Sequence, residues 1–375
     1  MDTTFTITPR FAVKMLEKAL RFYTPSLSEK PLAEFLADKC DDLGFENIHI
    51  DEVGNLIATK GSGSPKILLC GHMDTVPGKI KVRKEGNTLF GRGASDAKAP
   101  LMAMLFAAAS IQNNNGTVMF VGAVDEEGNA VGIKNLVKDK LDLDYAVFGE
   151  PSGLKQVTIA YKGRLAINLR INVGDSAHAS APWLSKNAIE ESMIFVSELK
   201  KELESGQEGK KRGMMLTAAL TEINGGTSHN ITPKECTSTM DIRIPVDMNC
   251  KMVEEKIARL VNEVSKKREV EAFYSIVDET EPFEAPHNSP LVRAFTLGVM
   301  DVEHARPTLI RKTGTGDMNV IGNRLNIPVV TYGPGDPHAS HTINESVSID
   351  EYLRGIEVLK KTLHHLKRLH DRKKK

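Results

Sequence analysis

Over the first 150 residues, short and nearly unbroken apolar runs alternate with helical periodicity. Between Thr8 and about Leu43 the apolar positions Phe11, Met15, Leu16 and Leu20, then Leu32, Phe35, Leu36 and Leu43, recur at helical steps. Ser26-Leu27-Ser28-Glu29-Lys30-Pro31 breaks that stretch, and Ser28 is the expected N-cap of the helix that follows. Residues 47–50, 56–59 and 66–71 are short and β-rich. The last of these is apolar almost throughout, as expected of a strand covered on both faces. Residues 99–112 predict a buried helix, 117–124 a buried strand, 130–138 a helix and 144–148 a strand. This alternation predicts an α/β domain with a mostly parallel sheet.

Past residue 155 the pattern changes. Residues 158–173 alternate through Ile159, Tyr161, Leu165, Ile167, Leu169 and Ile171, which predicts a strand or hairpin. An amphipathic helix at 188–203, strands at 214–223 and 235–244, a helix at 252–264 and a strand at 270–276 follow. The order β-α-β-β-α-β is that of a ferredoxin-like unit. Strand-like residues 329–333, followed by His341, resume the earlier logic. The expected organisation is therefore one α/β domain in two parts, 1–155 and 280–375, interrupted by an inserted domain at 156–279.

Composition narrows the function classes. A chain of 375 residues is long enough for two domains. Its formal net charge of zero gives no bulk attraction for nucleic acid. Lys79, Lys81, Arg83 and Lys84 form one basic cluster; a second, at 367–375, is expected to be a solvated, disordered tail. The four cysteines show no CxxC spacing, so neither a zinc knuckle nor a disulfide framework is expected. The opening Met1-Asp2-Thr3-Thr4 places an acid where a signal peptide would carry a base. The longest apolar stretch, about 13 residues, is too short to span a bilayer, and a cytoplasmic location is expected.

Chemistry concentrates at the predicted strand ends. His72 and Asp74 lie on the same side of an extended segment, so Asp74 could orient a metal-bound His72 through its second ring nitrogen. Asp96 precedes the buried helix and reads either as a loop-borne metal ligand or as an N-cap. Asp125-Glu126-Glu127 follow a buried strand. Three adjacent acids repel one another unless a cation stands among them; the alternative is a solvated acidic turn. Glu150 follows another strand, and His341 sits in a loop with His338; either could be an ordinary polar loop residue. In open α/β sheets, ligands bind outside the carboxyl ends of strands, so these scattered residues are expected to converge.

Five segments together carry a resemblance. Gly71-His72-Met73-Asp74-Thr75-Val76-Pro77, Gly91-Arg92-Gly93-Ala94-Ser95-Asp96-Ala97-Lys98, Asp125-Glu126-Glu127-Gly128, Gly149-Glu150-Pro151 and His341-Thr342-Ile343-Asn344-Glu345 resemble the motifs of the M20 family of di-zinc amidohydrolases. Order and spacing fit along essentially the whole chain. Ala99-Pro100 departs from the Gly that relatives often carry there. The resemblance implies a zinc-peptidase-like catalytic domain with an inserted ferredoxin-like lid and dimerisation domain. It implies two divalent ions per subunit, Zn2+ or Co2+, one held by His72, Asp96 and Glu150 and the other by Asp96, Glu127 and His341. By the same resemblance Asp74 orients His72, Glu126 is the general base, and His178 reaches from the lid into the partner subunit's site of a homodimer.

Arg311-Lys312-Thr313-Gly314-Thr315-Gly316-Asp317-Met318-Asn319 is similar to a signature of the [LysW]-lysine and [LysW]-ornithine hydrolases, with Gly316 where Ser is usual. Those enzymes release lysine or ornithine from the γ-carboxyl of a carrier protein's C-terminal glutamate. The resemblance implies substrate contacts from Asn230, Arg243, Lys312, Gly314 and Thr315. The acidic carrier LysW is the implied partner, and the basic Lys79–Lys84 cluster its candidate approach surface. Within the same chemistry the alternatives are deacylation of a free N-acyl amino acid (acetylornithine, N-acetyl-lysine or succinyl-diaminopimelate) and a metallo-carboxypeptidase.

Overall fold

The computed structural model describes residues 7–138 and 140–373; Met1-Asp2-Thr3-Thr4 and the last two lysines lie outside the described residues. The chain divides into two compact units. The first comprises residues 1–159, 284–310 and 316–375, and the second residues 160–283 with 311–315.

The first unit is built on a nine-stranded sheet. Its central strands Gly116–Ala123, Lys66–His72, Tyr145–Gly149 and Val329–Thr331 are parallel neighbours. Antiparallel strands, among them Leu56–Ser62 and Gln156–Tyr161, flank them. Because Gln156–Tyr161 pairs in this sheet, residues 156–159 belong with the first unit; the second starts at Ala160 and takes in 311–315 as well. Helix Lys98–Ala109 is apolar on every side and buried through Ala108, which explains why its sequence shows no polar stripe. Residues 158–173, expected as a strand or hairpin, fall in two strands, Gln156–Tyr161 and Gly163–Asn172, that belong to different sheets and so form neither.

Three local expectations change. The helix expected at 130–138 is shorter, Val131–Leu136. The N-cap of Lys30–Asp42 is Glu29, not Ser28: the Glu29 side chain instead accepts the backbone N–H of Leu27 and Asp125. The basic C-terminal segment is helical as far as Lys373, in Ile349–Lys373. Its inner face explains this, since Tyr352, Ile356, Leu359, Leu363, Leu366 and His370 recur at three- and four-residue steps and are all buried. His370 also meets the Tyr145 hydroxyl at 3.1 Å. Lys367, Arg368 and Arg372 therefore occupy the outer face of an anchored helix.

This helix packs on Pro290–Glu303, and Gly298 marks the contact. A Cβ there would lie 3.0 Å from both the Val358 carbonyl oxygen and the Thr362 nitrogen. Gly298→Ala gains ~1 kcal/mol of helix propensity, but overpacking against backbone costs ~1–3 kcal/mol. The expected net result is a lower urea midpoint; a raised midpoint would show that the helices part freely.

The second unit contains a four-stranded antiparallel sheet in the order Thr217–Gly225, Glu235–Ile244, Gly163–Asn172, Glu271–Thr280. Helices Ala188–Glu204 and Cys250–Arg268 supply Phe195, Leu199, Val253 and Ile257 to a core shared with Leu165, Ile167, Met240 and Ile242. The order of its elements is β-α-β-β-α-β. Cys40, Cys70, Cys236 and Cys250 are free and buried. Among the described residues, no helix is long and apolar enough to cross a membrane.

Candidate active site

Three parallel strands end on one edge of the first unit's sheet, and each delivers a polar group there. His72 is the last residue of Lys66–His72, Glu126 and Glu127 lie just beyond Gly116–Ala123, and Glu150 follows Tyr145–Gly149. The loop beyond the parallel strand Val329–Thr331 carries His341. Asp96 lies in the loop before Lys98–Ala109. The cap position of that helix is Ala97, so Asp96 is not its N-cap.

The five side chains form two groups that share Asp96. His72, Asp96 and Glu150 offer donor atoms within 4.8 Å of one another, and so do Asp96, Glu127 and His341. His72 Nε2 lies 3.2 Å from Asp96 Oδ1 and 3.6 Å from Glu150 Oε1. His341 Nε2 lies 2.8 Å from Glu127 Oε1 and 3.4 Å from the other Asp96 oxygen. Imidazole and carboxylate donors in two triads that share one carboxylate suit a pair of divalent cations.

The electrostatics point the same way. Burial pushes Glu126 up to about 7, helped by the charges of Glu127, Asp96 and Asp74 and opposed by His72. Burial and Asp96 also raise Glu127, against His72 and His341. Hydrogen bonding to Asp96, with Glu127 behind it, lifts His341 to about 9. Burial would lower the His72 pKa, but Asp74, Asp96 and Glu150 hold it well above the usual imidazole range. The raised carboxyls mark a repulsion among the acids that cations would relieve.

A supporting layer fixes these groups. His72 Nδ1 lies 3.0 Å from the Asp74 carbonyl oxygen and 3.4 Å from its carboxylate. The fully buried Asp74 carboxylate accepts the backbone N–H of Glu126 at 3.1 Å and of Glu127 at 3.0 Å, and the Ser26 hydroxyl at 2.8 Å. Asp74 thus ties the histidine strand to the acidic loop. Ser26 and Glu29, from the connection between the first two helices, brace both. Sequence reasoning missed them because no local pattern ties Ser26 to a residue 48 positions away. It also assigned no role to Asp317, in the first turn of Asp317–Leu325, where burial and the nearby Glu126 push the carboxyl well up.

The remaining expected site residues lie in the second unit, in two groups. His178 and Ile231 form an antiparallel bridge, and the Ala179 N–H donates to the Asn230 carbonyl at 2.8 Å, so His178 and Asn230 are neighbours. Both are exposed, and His178 Nδ1 meets the Ser180 hydroxyl at 2.7 Å. In the other group, Arg243 Nε donates to Asp241 at 2.6 Å, and a terminal nitrogen lies 3.4 Å from the Thr315 hydroxyl. Lys312 stands over the Tyr161 ring at 5.6 Å. Gly314 belongs to the same 311–315 segment and has open space where a side chain would be. Lys162, unremarked in the sequence, is buried here; its ammonium donates to the Met215 carbonyl at 2.5 Å. Burial and the charge of Arg243 lower its pKa.

Comparison with known proteins agrees over nearly the full length. The chain is 35% identical over 355 residues to a Thermococcus kodakarensis protein and 34% identical over 356 to one from Pyrococcus abyssi. Both are named, provisionally, [LysW]-lysine/[LysW]-ornithine hydrolase, and each alignment covers 95% of this chain and 92% or 94% of the relative. A Saccharolobus islandicus protein that carries the name without qualification is 29% identical over 92% of this chain and 93% of its own. Among solved structures, aminopeptidase PepT from Bacillus cereus superposes with a TM-score of 0.82 at 22% identity, over 96% of this chain and 99% of its own. Bacillus subtilis YXEP, described as a dinuclear metal binding peptidase, gives 0.74 at 12% identity, over 95% and 97%. The model of Peptidase family M20/M25/M40 matches residues 68–365, a span that holds all five residues of the two donor groups, and the chain belongs to that family.

Proposed function

We propose that this protein is a two-metal amidohydrolase that releases lysine or ornithine from the γ-carboxyl of the C-terminal glutamate of the carrier protein LysW. The observation that carries the chemistry is the pair of ligand triads sharing Asp96, with Glu126 left outside both. The names of the relatives support the substrate. Zinc or cobalt ions held by His72, Asp96 and Glu150, and by Asp96, Glu127 and His341, would supply Lewis acidity to the scissile carbonyl and the attacking water. Asp74 holds His72 in orientation and, through the two N–H groups it accepts, sets where Glu126 stands. Glu126 takes the proton of the attacking water and returns it to the leaving amine.

His178 donates to the developing oxyanion in the partner subunit's site of a homodimer. Exposed Leu220 and Ile223 on the edge strand Thr217–Gly225, with exposed Trp183, Leu184 and Met193 in the same unit, support such a self-association surface. Arg243, with Lys312, Gly314, Thr315 and Asn230, binds the substrate; the Arg243 fork suits a carboxylate. Lys79, Lys81, Arg83 and Lys84 are all exposed, and they give an acidic carrier a basic approach.

Turnover of carrier-linked lysine and ornithine, assayed beside acetylornithine, N-acetyl-lysine, succinyl-diaminopimelate and a carboxypeptidase substrate, tests the reading. Turnover of the free substrates alone would replace it. Arg243→Ala is expected to lower kcat/KM ~10–100-fold, mostly through KM, as follows from a lost charged hydrogen bond. Arg243→Lys restores little, because a lysine cannot form the fork. An unchanged KM in both variants removes Arg243 from substrate binding.

A further inference from the structure

Two of the three loops that contribute to the second donor group, those of Asp96 and His341, are joined by a buried ion pair outside both triads. The Glu345 carboxylate is fully buried. One of its oxygens accepts the backbone N–H of Ser95 and of Asp96, each at 2.9 Å. Its other oxygen accepts from Arg92 at 2.8 Å. Arg92 is itself buried and donates to the Thr342 carbonyl at 3.0 Å and the Gly78 carbonyl at 2.9 Å. The Glu345 carbonyl receives the Gly91 N–H, and the Ser95 hydroxyl reaches back to the Asp336 carbonyl. Each of these bonds between the two loops therefore runs from a donor on the loop that carries Asp96 to an acceptor on the loop that carries His341.

From this geometry we infer that Glu345 and Arg92 are positioning residues that set the Asp96–His341 separation, and so the affinity of the second metal site specifically. Glu345 grips the backbone of Asp96, and Arg92 grips the carbonyl next to His341. His341 sits at φ +65°, a conformation that a non-glycine residue holds only when its surroundings impose it. Asp96 serves both sites, but the first site has no ligand on the His341 loop. Its other two, His72 and Glu150, are fixed by their own strands and, for His72, by Asp74, so the second site carries the larger effect. Loss of the Glu345 charge would leave the buried Arg92 guanidinium facing carbonyls alone, which favours its withdrawal and frees the His341 loop.

The inference rests on the two-metal reading, and a metal titration separates the two. Full-length protein stripped with a chelator is titrated with Co2+, read by visible absorption, and with Zn2+, read by competition with a chromophoric chelator. Wild type should take up two ions. Glu345→Gln should bind one ion within about threefold of wild type and the other ~10–100-fold more weakly, the usual effect of losing a partner that orients a ligand. Arg92→Lys keeps the charge but not the fork, and should show the same asymmetry to a smaller degree; it carries the test if Glu345→Gln does not fold. Equal weakening of both ions, or undiminished affinity for both, overturns the inference. Wild type binding fewer than two ions overturns the two-metal reading itself.

Discussion

Replacement of Glu126 by Gln is expected to lower kcat ~10²–10⁴-fold, the range for loss of a general base, while two ions per chain remain bound. The expectation follows from where Glu126 stands. It belongs to neither ligand triad, yet it is surrounded by Asp74, Asp96 and Glu127, and burial together with those charges holds its carboxyl at about 7. That value belongs to the metal-free protein; bound cations would lower it, leaving an ionised carboxylate outside both triads that can accept a proton from water. The amide is nearly isosteric and cannot accept the proton. Being neutral, it also removes a repulsive charge, so the metal-free variant should be no less stable than wild type. Steady-state kinetics with metal analysis checks this. A variant that keeps more than about a tenth of wild-type kcat would show that another group is the base. Glu127→Gln is the contrasting change, in which metal content itself should fall.

Zinc affinity should rise by on the order of 10²-fold from pH 6 to pH 8, because the ligands must shed protons before they bind metal. In the metal-free protein His341 is lifted from an ordinary 6.5 to about 9, first by its hydrogen bond to Asp96. A raised imidazole pKa stabilises the fold in full below about 6.5, and that contribution is lost as the pH climbs through about 9. Glu126 acts in the same direction: its pKa is raised from 4.5 to about 7, so ionising it costs stability as the pH rises through that window. Chelator-treated protein should therefore lose thermal stability between about pH 4.5 and 9, whereas metal-loaded protein, whose ligands carry no protons, should gain up to about pH 6.5 and then level off. Each displaced proton contributes about tenfold in affinity per pH unit. Chelator competition at several pH values, with calorimetry in buffers of different ionisation enthalpy, measures both quantities. A pH-independent affinity would exclude His341 as a ligand.

The residues of the two donor groups are legible in the sequence; most of those that hold them in place are not. His72 and Glu150 stand out because each ends an apolar strand, and burial on both faces leaves that strand little other pattern to show. The inserted unit is legible because strands such as Glu235–Ile244 alternate buried and part-buried positions, with the buried ones in a core shared with two helices. Ser26 and the Arg92–Glu345 pair are not, because their partners lie 48 and 253 positions away and a serine or an arginine in a loop has many commoner uses. Glu345 was in view within a quoted motif, but a carboxylate that accepts two backbone N–H groups leaves no periodic trace. The C-terminal segment misleads in the opposite sense: its lysines dominate the composition, while the buried face from Tyr352 to His370 decides the structure.

The first unit is assembled from three separate stretches of chain, with the whole of 160–283 between the first and second. During synthesis this imposes an order. His72, Asp96 and Glu150 have all been made once Glu150 is translated, so the residues of the first donor group are available early, although the Glu345 that holds the Asp96 backbone is not. His341 follows roughly 190 residues later, on the order of 10–40 s at ordinary translation rates. The contiguous 160–283 stretch has time to fold in the interval, while the sheet of the first unit still lacks the strand Val329–Thr331. A nascent chain would thus hold the three residues of the first proposed site, with Asp96 not yet braced, well before the second can exist. The cell's free metal, and the time for which that half-built site stands open, would then bear on which ion is captured first.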